Sequence, residues 1–378
     1  MKISNEILNL NSSIIKDKEF FWNHPEEGFK EFKTSEYIIK RLKEIGYKNI
    51  QTNVAKTGIV ATLNGKKESP CILLRADMDA VRMDDTGRMK HTCGHDAHMS
   101  ILIAVAELLY KNKDNLNGTV KIVFQPAEDD IGGAKPMIEE GALENPKVNK
   151  AFGIHMWSEL PHGTIGIKSG PIMASTDPFI INIHGKGGHA ALSEKCINPI
   201  NTVPLIIKTL QLIEDEYNKN EKNIVLGITS IHGGSTTNVI PEKVELKGIF
   251  RTFDNNIRAK IKDILSKKIQ EIQNTTGTKI LLKYIEERPV VINSVEESET
   301  IKNIAEEIVG KKNVITDYKT MCSEDFSFFL QEVDGAFVFI GCQQDTYYPQ
   351  HNENFTVDNN SLLLGTQMMY NIAKKYLF

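Results

Sequence analysis

TVKIVFQPAEDDIGGAKPMIEEGALENPKVNKAFGIHMW, residues 119–157, reads as a strand, a helix and a second strand. TVKIVFQ (119–125) and KAFGIHMW (150–157) are short, nearly continuous apolar runs, and Pro126 blocks continuation of the first. GGAKPMIEEGAL (132–143) between them is the expected helix. Strands without polar alternation, joined through a helix, belong to a largely parallel sheet covered on both faces. Polar residues gather where these strands run out: Glu128 and Asp129 after the first, His155 in the second. In open α/β sheets, ligands collect at the carboxyl ends of the strands.

The same rhythm extends in both directions. Upstream, GIVATLNG (58–65) reads as a strand running into an Asn-Gly turn, with CILLRAD (71–77) as the strand after it. Residues 5–21 carry helical spacing, and a second helix is expected from an N-cap at Thr34 to a stop at Gly46. Residues 97–111 read as a buried helix. Near residue 174 the pattern changes. DPFIINIHGKG (177–187), NIVLGITSIHGG (223–234), VELKGIFRTF (244–253) and KILLKYIEE (279–287) read as strands, with helices at 197–215 and 256–273. Strand, helix, two strands, helix, strand is the split βαβ pattern of a small ferredoxin-like α+β domain. From about Pro289 the α/β rhythm resumes, with a helix at 296–309, the strand AFVFIGC (336–342) and a helix from Asp358. The expected fold is α/β: a mostly parallel-sheet domain (1–174 and 288–378) with an α+β domain (175–287) inserted into it.

Composition narrows the function. A length of 378 residues favours two domains, and 40% hydrophobic with 25% charged residues is ordinary for a soluble protein. A net charge of −4 gives no reason to expect a nucleic-acid partner. Polar residues interrupt every apolar stretch of MKISNEILNLNSSIIKDKEF, and no long apolar run follows, so neither a signal peptide nor a membrane partner is expected. Five scattered cysteines suit a reducing cytoplasm better than a disulfide framework.

HTCGHDAH (91–98) places one cysteine and three histidines within eight residues. Gly94 permits the sharp turn that would bring Cys93 and His95 to one site. A lone cysteine is usually a small buried hydrophobe; this density of coordinating side chains favours a metal. His98, on the helix after the turn, can instead pack or orient a neighbour. ILLRADMDA (72–80) ends in Asp77 and Asp79, either of which can accept a histidine N–H and fix its ring. Adjacent acids are commonly solvated surface, but Glu128 and Asp129 follow the apolar IVFQPA, so one can bind metal while the other acts as a base. His155 alone would pass for a core histidine.

These blocks resemble the aminoacylase/carboxypeptidase family of dinuclear metallohydrolases. More closely, they resemble its amidohydrolase branch of hippurate hydrolases, auxin-conjugate hydrolases and N-acetyl-diaminopimelate deacetylases. HPEEGFKEFKT, LLRADMDA, HTCGHDAH, FQPAED, GAKPMIEEGAL, GIHMWSELPHGTIGIKSGPIMAS, GKGGHAA, IHGGSTTNVIPEKVELKGIFRTF and SEDF occur in the family's order. The resemblance implies two divalent metal ions per subunit, of zinc, manganese, cobalt or nickel. It implies Cys93, His95, Asp129, His155 and His351 as ligands, with Cys93 bridging, Glu128 as general base and Asp77 as a supporting acid. It further implies that Asn238 and Arg251 hold the substrate carboxylate. The inserted domain is implied to be a lid and dimerisation domain whose His189 reaches a partner's active site in a homodimer or higher homo-oligomer. The implied substrate is a small N-acyl-amino acid or short peptide. Asp129 stands where the branch usually has Glu, the loop between Asp79 and Cys93 is short, and Val81-Arg82 replaces the usual Leu-Pro. Two other readings compete: a non-catalytic binding protein on the same fold, and a cysteine hydrolase using Cys93.

Overall fold

Strands β1 (Asn49–Val54), β2 (Gly58–Asn64), β3 (Cys71–Asp77), β4 (Thr119–Gln125), β5 (Lys150–Pro161), β6 (Ile165–Gly166), β7 (Val314–Ile315) and β8 (Asp334–Gln343) form one sheet. Their order is β1-β2-β4-β3-β5-β8-β6-β7. The central pairs β4/β3, β3/β5 and β5/β8 are parallel, and every residue of β3 and β4 is buried. Full burial is what the unalternating apolar runs demand. β1/β2 and β2/β4 are antiparallel. Asn64-Gly65 therefore closes no hairpin to β3, because β4 lies between the two strands. The computed structural model describes residues 1–378 except 68, 131, 221, 222 and 286. The chain divides into a first unit of Met1–Gly170, Ile292–Lys319 and Asp325–Phe378 and a second of Pro171–Val291 and Thr320–Glu324.

In the first unit, helices α1 (Asn11–Trp22), α2 (Phe32–Ile45), α3 (His95–Lys111), α4 (Val295–Val309) and α5 (Asn359–Leu377) join the sheet. α3 is buried almost all round and packs against β3, α1, α2 and α5. Alternate residues of β5 face opposite layers: Gly153 lies against Phe337 and Phe326, and Ile154 against Gly365 of α5. The expected helix at 5–21 is broken into Asn5–Leu8 and α1. Thr34 is not the cap of α2, which begins two residues earlier. Its amide and hydroxyl both donate to Glu26 Oε2 at 2.9 Å, so the Glu26 carboxylate satisfies this helix end. Gly46, at φ 117°, does end the helix. The helix expected over 132–143 is confined to Ala134–Glu139, with Gly141 turning at φ 90°.

In the second unit, Ile224–Gly233, Lys243–Thr252, Asp177–His184 and Lys279–Tyr284 form an antiparallel sheet in that order. The strand expected to reach Glu287 stops at Tyr284, and Glu286 lies outside the described residues. Strict alternation along Asp177–His184 buries Phe179, Ile181 and Ile183. They share a core with Ile206, Leu210 and Ile213 of helix Val203–Tyr217 and Ile261, Leu265 and Ile269 of helix Asn255–Thr276. A short 3-10 turn, Pro199–Thr202, replaces the first residues of the helix expected at 197–215. Among the described residues no helix is long and apolar enough to cross a membrane.

Candidate metal centre

Asp77 ends β3 in register with Gln125, the last residue of β4. The chain just beyond these two ends, together with β5 and the turn before α3, supplies the site. Gly94 sits at φ 94°, a left-handed conformation open to glycine without strain. That turn lets Cys93 and His95 each offer a ligand atom within 4.8 Å of one another and of an Asp129 oxygen. Cys93 Sγ lies 3.5 Å from His155 Nε2, and His95 Nε2 lies 3.7 Å from Asp129 Oδ2 and 3.6 Å from Asp77 Oδ2. His351 Nε2 approaches Asp129 Oδ1 at 3.2 Å. His351 has φ 65°, and its amide donates to Thr92 O at 2.8 Å, fastening its loop to the turn before α3. The short loop after Asp79 folds as a ribbon, Val81 opposite Lys90 and Arg82 opposite Met89. Arg88 and Lys90 tie this ribbon to Glu353 in the His351 loop, each at 2.6 Å.

Hydrogen bonds fix the imidazole tautomers, because a carbonyl can only accept. His95 donates its Nδ1–H to Asp79 O and His155 donates its Nδ1–H to Met156 O, both at 2.9 Å. Each ring turns its Nε2 toward the centre. Burial leaves that of His155 a lone pair, whereas for His95 burial is outweighed by the Asp77 carboxylate, which raises the imidazole, so a cation bound there would displace a proton. His98 differs. Its Nδ1–H goes to Asp77 Oδ1 at 2.6 Å, and its Nε2 accepts from the Met156 amide at 2.9 Å. With both nitrogens engaged, His98 has no lone pair for a metal and instead holds Asp77.

Two buried carboxylates organise the rest. Asp79 accepts from the Glu128 amide through Oδ1 and from the Asp129 amide through Oδ2, both at 2.9 Å. Asp325 accepts from Arg75, Gln125 and the Ala134 amide, while its own amide donates to Glu128 Oε1 at 3.3 Å. The Arg75 guanidinium, 1% exposed, also donates to Asp77 and Gln125, each at 2.8 Å. Burial alone would raise the Asp77 carboxyl, but His95, His98 and Arg75 hold it well below the usual carboxylate range. Burial acts on Asp129 the same way and is outweighed by the His351 hydrogen bond and by His95. Burial also pushes the Cys93 thiol up and keeps the His155 imidazole neutral.

The donor set fits divalent cations. His95 Nε2 and Asp129 Oδ2 are buried, face each other across 3.7 Å and have no hydrogen-bond partner among the described residues. Leaving such atoms unsatisfied is costly, and a cation satisfies both at once. Sulfur, imidazole and carboxylate together suit a transition metal. Cation charge would also offset the penalty that burial places on the Cys93 thiolate.

The remaining expected residues lie in the second unit. His189 is exposed, on a short ribbon opposite Val239, and its Nδ1 accepts from the Ala191 amide at 3.1 Å. Asn238 is exposed; its side-chain oxygen accepts from Thr236 and its carbonyl from the Ala190 amide. Arg251 is half-buried and donates to Met321 O at 2.7 Å.

The chain matches the model of peptidase family M20/M25/M40 over residues 73–375. It is 33% identical to thermostable carboxypeptidase 2 of Saccharolobus solfataricus, over 99% of this chain and 98% of that one. It is also 33% identical to N-acetyl-L-cysteine deacetylase of Bacillus subtilis, over 97% of this chain and 89% of the relative. A solved Bacillus subtilis structure described as a dinuclear metal binding peptidase of the M20 family superposes with a TM-score of 0.82. That match has 29% identity and covers 97% and 98% of the two chains. The chain therefore belongs to peptidase family M20/M25/M40.

Proposed function

We propose that this protein hydrolyses the amide bond of N-acyl-amino acids, using two divalent cations held by Cys93, His95, Asp129, His155 and His351. The observation that carries the reading is the facing pair of buried atoms, His95 Nε2 and Asp129 Oδ2, which lack a hydrogen bond among the described residues and lie beside the Cys93–His155 contact. The names of both relatives, a deacetylase and a carboxypeptidase, describe amide cleavage. When bound, the cations supply Lewis acidity for the acyl carbonyl and the attacking water, and zinc, manganese, cobalt and nickel all suit these donors. Glu128, adjacent to Asp129 and 4% exposed, takes the proton of the attacking water and returns it to the departing amine. His98 and Arg75 hold Asp77, which supports the ligand face of His95.

The second unit supplies substrate recognition. Arg251 and Asn238 carry the donors for the substrate carboxylate. The His189 tautomer that accepts at Nδ1 carries its proton on Nε2, a donor suited to the oxyanion. It acts on a neighbouring subunit in a homodimer. Strand Ile224–Gly233 is a sheet edge with Ile231 exposed, and helix Val203–Tyr217 exposes Leu205, Ile207 and Leu212, an apolar surface that a second copy would cover. A cysteine hydrolase fits less well, since burial raises the Cys93 thiol where a nucleophile needs it lowered.

Exhaustive chelation tests the reading on acetyl-, benzoyl-, succinyl- and indole-acetyl-amino acids. Activity should vanish and return with manganese, zinc or cobalt. Full turnover by metal-free protein would overturn it.

A further inference from the structure

HPEEGFKEFKT (24–34) takes no part in the chemistry proposed above, yet its last acid is fully buried beside the site. Glu31 is 0% exposed. One carboxylate oxygen accepts from the Ala127 amide at 2.9 Å, and the other accepts from the Thr57 hydroxyl at 2.5 Å. Among the described residues no lysine, arginine or histidine pairs with it. Burial pushes its carboxyl up to about 7, so this acid sits where its charge is disfavoured.

Ala127 explains what Glu31 does there. It has φ 54°, a left-handed conformation that costs a residue with a Cβ roughly 1–2 kcal/mol. Such a conformation persists only where its surroundings hold it. The amides of Ala127, Glu128 and Asp129 are consecutive, and two buried carboxylates accept all three: Glu31 the first, Asp79 the other two. The turn is also walled in. A Cβ on Gly28 would lie 2.9 Å from Ala127 Cβ, and one on Gly133 would lie 1.9 Å from Pro126 O. Without the Glu31 acceptor, the Ala127 amide is a buried orphan and the strained residue is free to relax. Relaxation would swing both acids that follow.

We propose that Glu31 is a positioning residue for the metal centre: it holds Ala127 in its left-handed conformation and so aims Glu128 and Asp129. This rests on the roles assigned to those two acids. It gives the N-terminal loop a share in catalysis without contact to substrate or metal.

The test compares Glu31→Ala, Glu31→Gln, Gly28→Ala and Glu128→Gln by kcat, KM, thermal stability and zinc retention against a chromophoric chelator. Glu31→Ala should lose on the order of 10–100-fold in kcat with KM little changed, because displacing a catalytic group by about an ångström costs that much. Its zinc affinity should fall roughly tenfold or more, as for removal of a residue that orients a ligand. Glu31→Gln should retain most of both, since its amide oxygen can accept from Ala127 while its amide nitrogen donates to the Thr57 oxygen. Gly28→Ala pushes on the same turn without touching charge and should repeat the kcat loss. Wild-type kcat and zinc affinity in Glu31→Ala would overturn the inference, as would equal losses in the Ala and Gln variants at equal thermal stability. If Glu31→Ala does not fold, an unchanged kcat in Gly28→Ala overturns it. Glu128→Gln separates the two levels: turnover there defeats the underlying reading, whereas an inactive Glu128→Gln beside an unimpaired Glu31→Ala defeats only the role of Glu31.

Discussion

The first unit presents Cys93, His95, Asp129 and His155 from buried or nearly buried positions, with ring tautomers and backbone amides pinned by named partners. The second presents His189 and Asn238 on the surface, held through close chain neighbours and each other's ribbon strand. The contrast teaches where preorganisation resides. Four of the expected metal donors stand at buried or nearly buried positions, with exposed His351 fastened beside them through its backbone bond to Thr92, whereas His189 and Asn238 would become a site only when another surface closes over them.

Variants can break that contrast, and the largest effect belongs to the buried side. Glu128→Gln should keep its metal and lose on the order of 10²–10⁴-fold in kcat, since the amide preserves shape but cannot take a proton. Asp129→Asn should instead lose metal, measured by elemental analysis after dialysis. If the two variants exchange behaviours, the base and ligand roles must be swapped. On the exposed side, His189→Ala should cost roughly 10²–10³-fold, the usual toll of removing one oxyanion donor. Mixing it with Glu128→Gln should then regenerate some activity, because a mixed dimer has one intact composite site. Subunit exchange without recovery would place the role of His189 within its own chain. The smallest effect is a pH dependence of stability. A carboxyl raised in the folded state contributes its full stability below its unfolded value and loses it as pH climbs through about 7. Metal-free Glu31→Gln should therefore gain in melting temperature over the parent at about pH 8 but not near pH 5, a difference on the order of 1–3 kcal/mol. A pH-independent difference would show that Glu31 titrates normally.

Legibility followed the same divide. Apolar runs mark β3, β4, β5 and β8, and Pro126 with its acids marks where β4 stops, because burial on both faces leaves an unbroken apolar signature. Strand order is another matter: nothing in GIVATLNG or CILLRAD says that β4 comes between them. The cysteine and histidines of the centre stand out by density. Asp79 is marked by the apolar run before it, but as an acceptor for a histidine rather than for the Glu128 and Asp129 amides. Glu31 is not marked at all, since an acid in a polar stretch looks the same whether it is solvated or clamping a turn. Asp325 and Arg75 are hidden for a further reason: their contact spans 250 residues of chain.

The wide spacing of the donors also bears on how the protein comes into being. Cys93 and His95 emerge early in synthesis, Asp129 and His155 follow, and His351 comes only after the whole second unit has been made. On the ribosome the early donors must wait, a thiol among them, before the last one exists. A cation bound before His351 has been made would meet an incomplete set of the proposed donors.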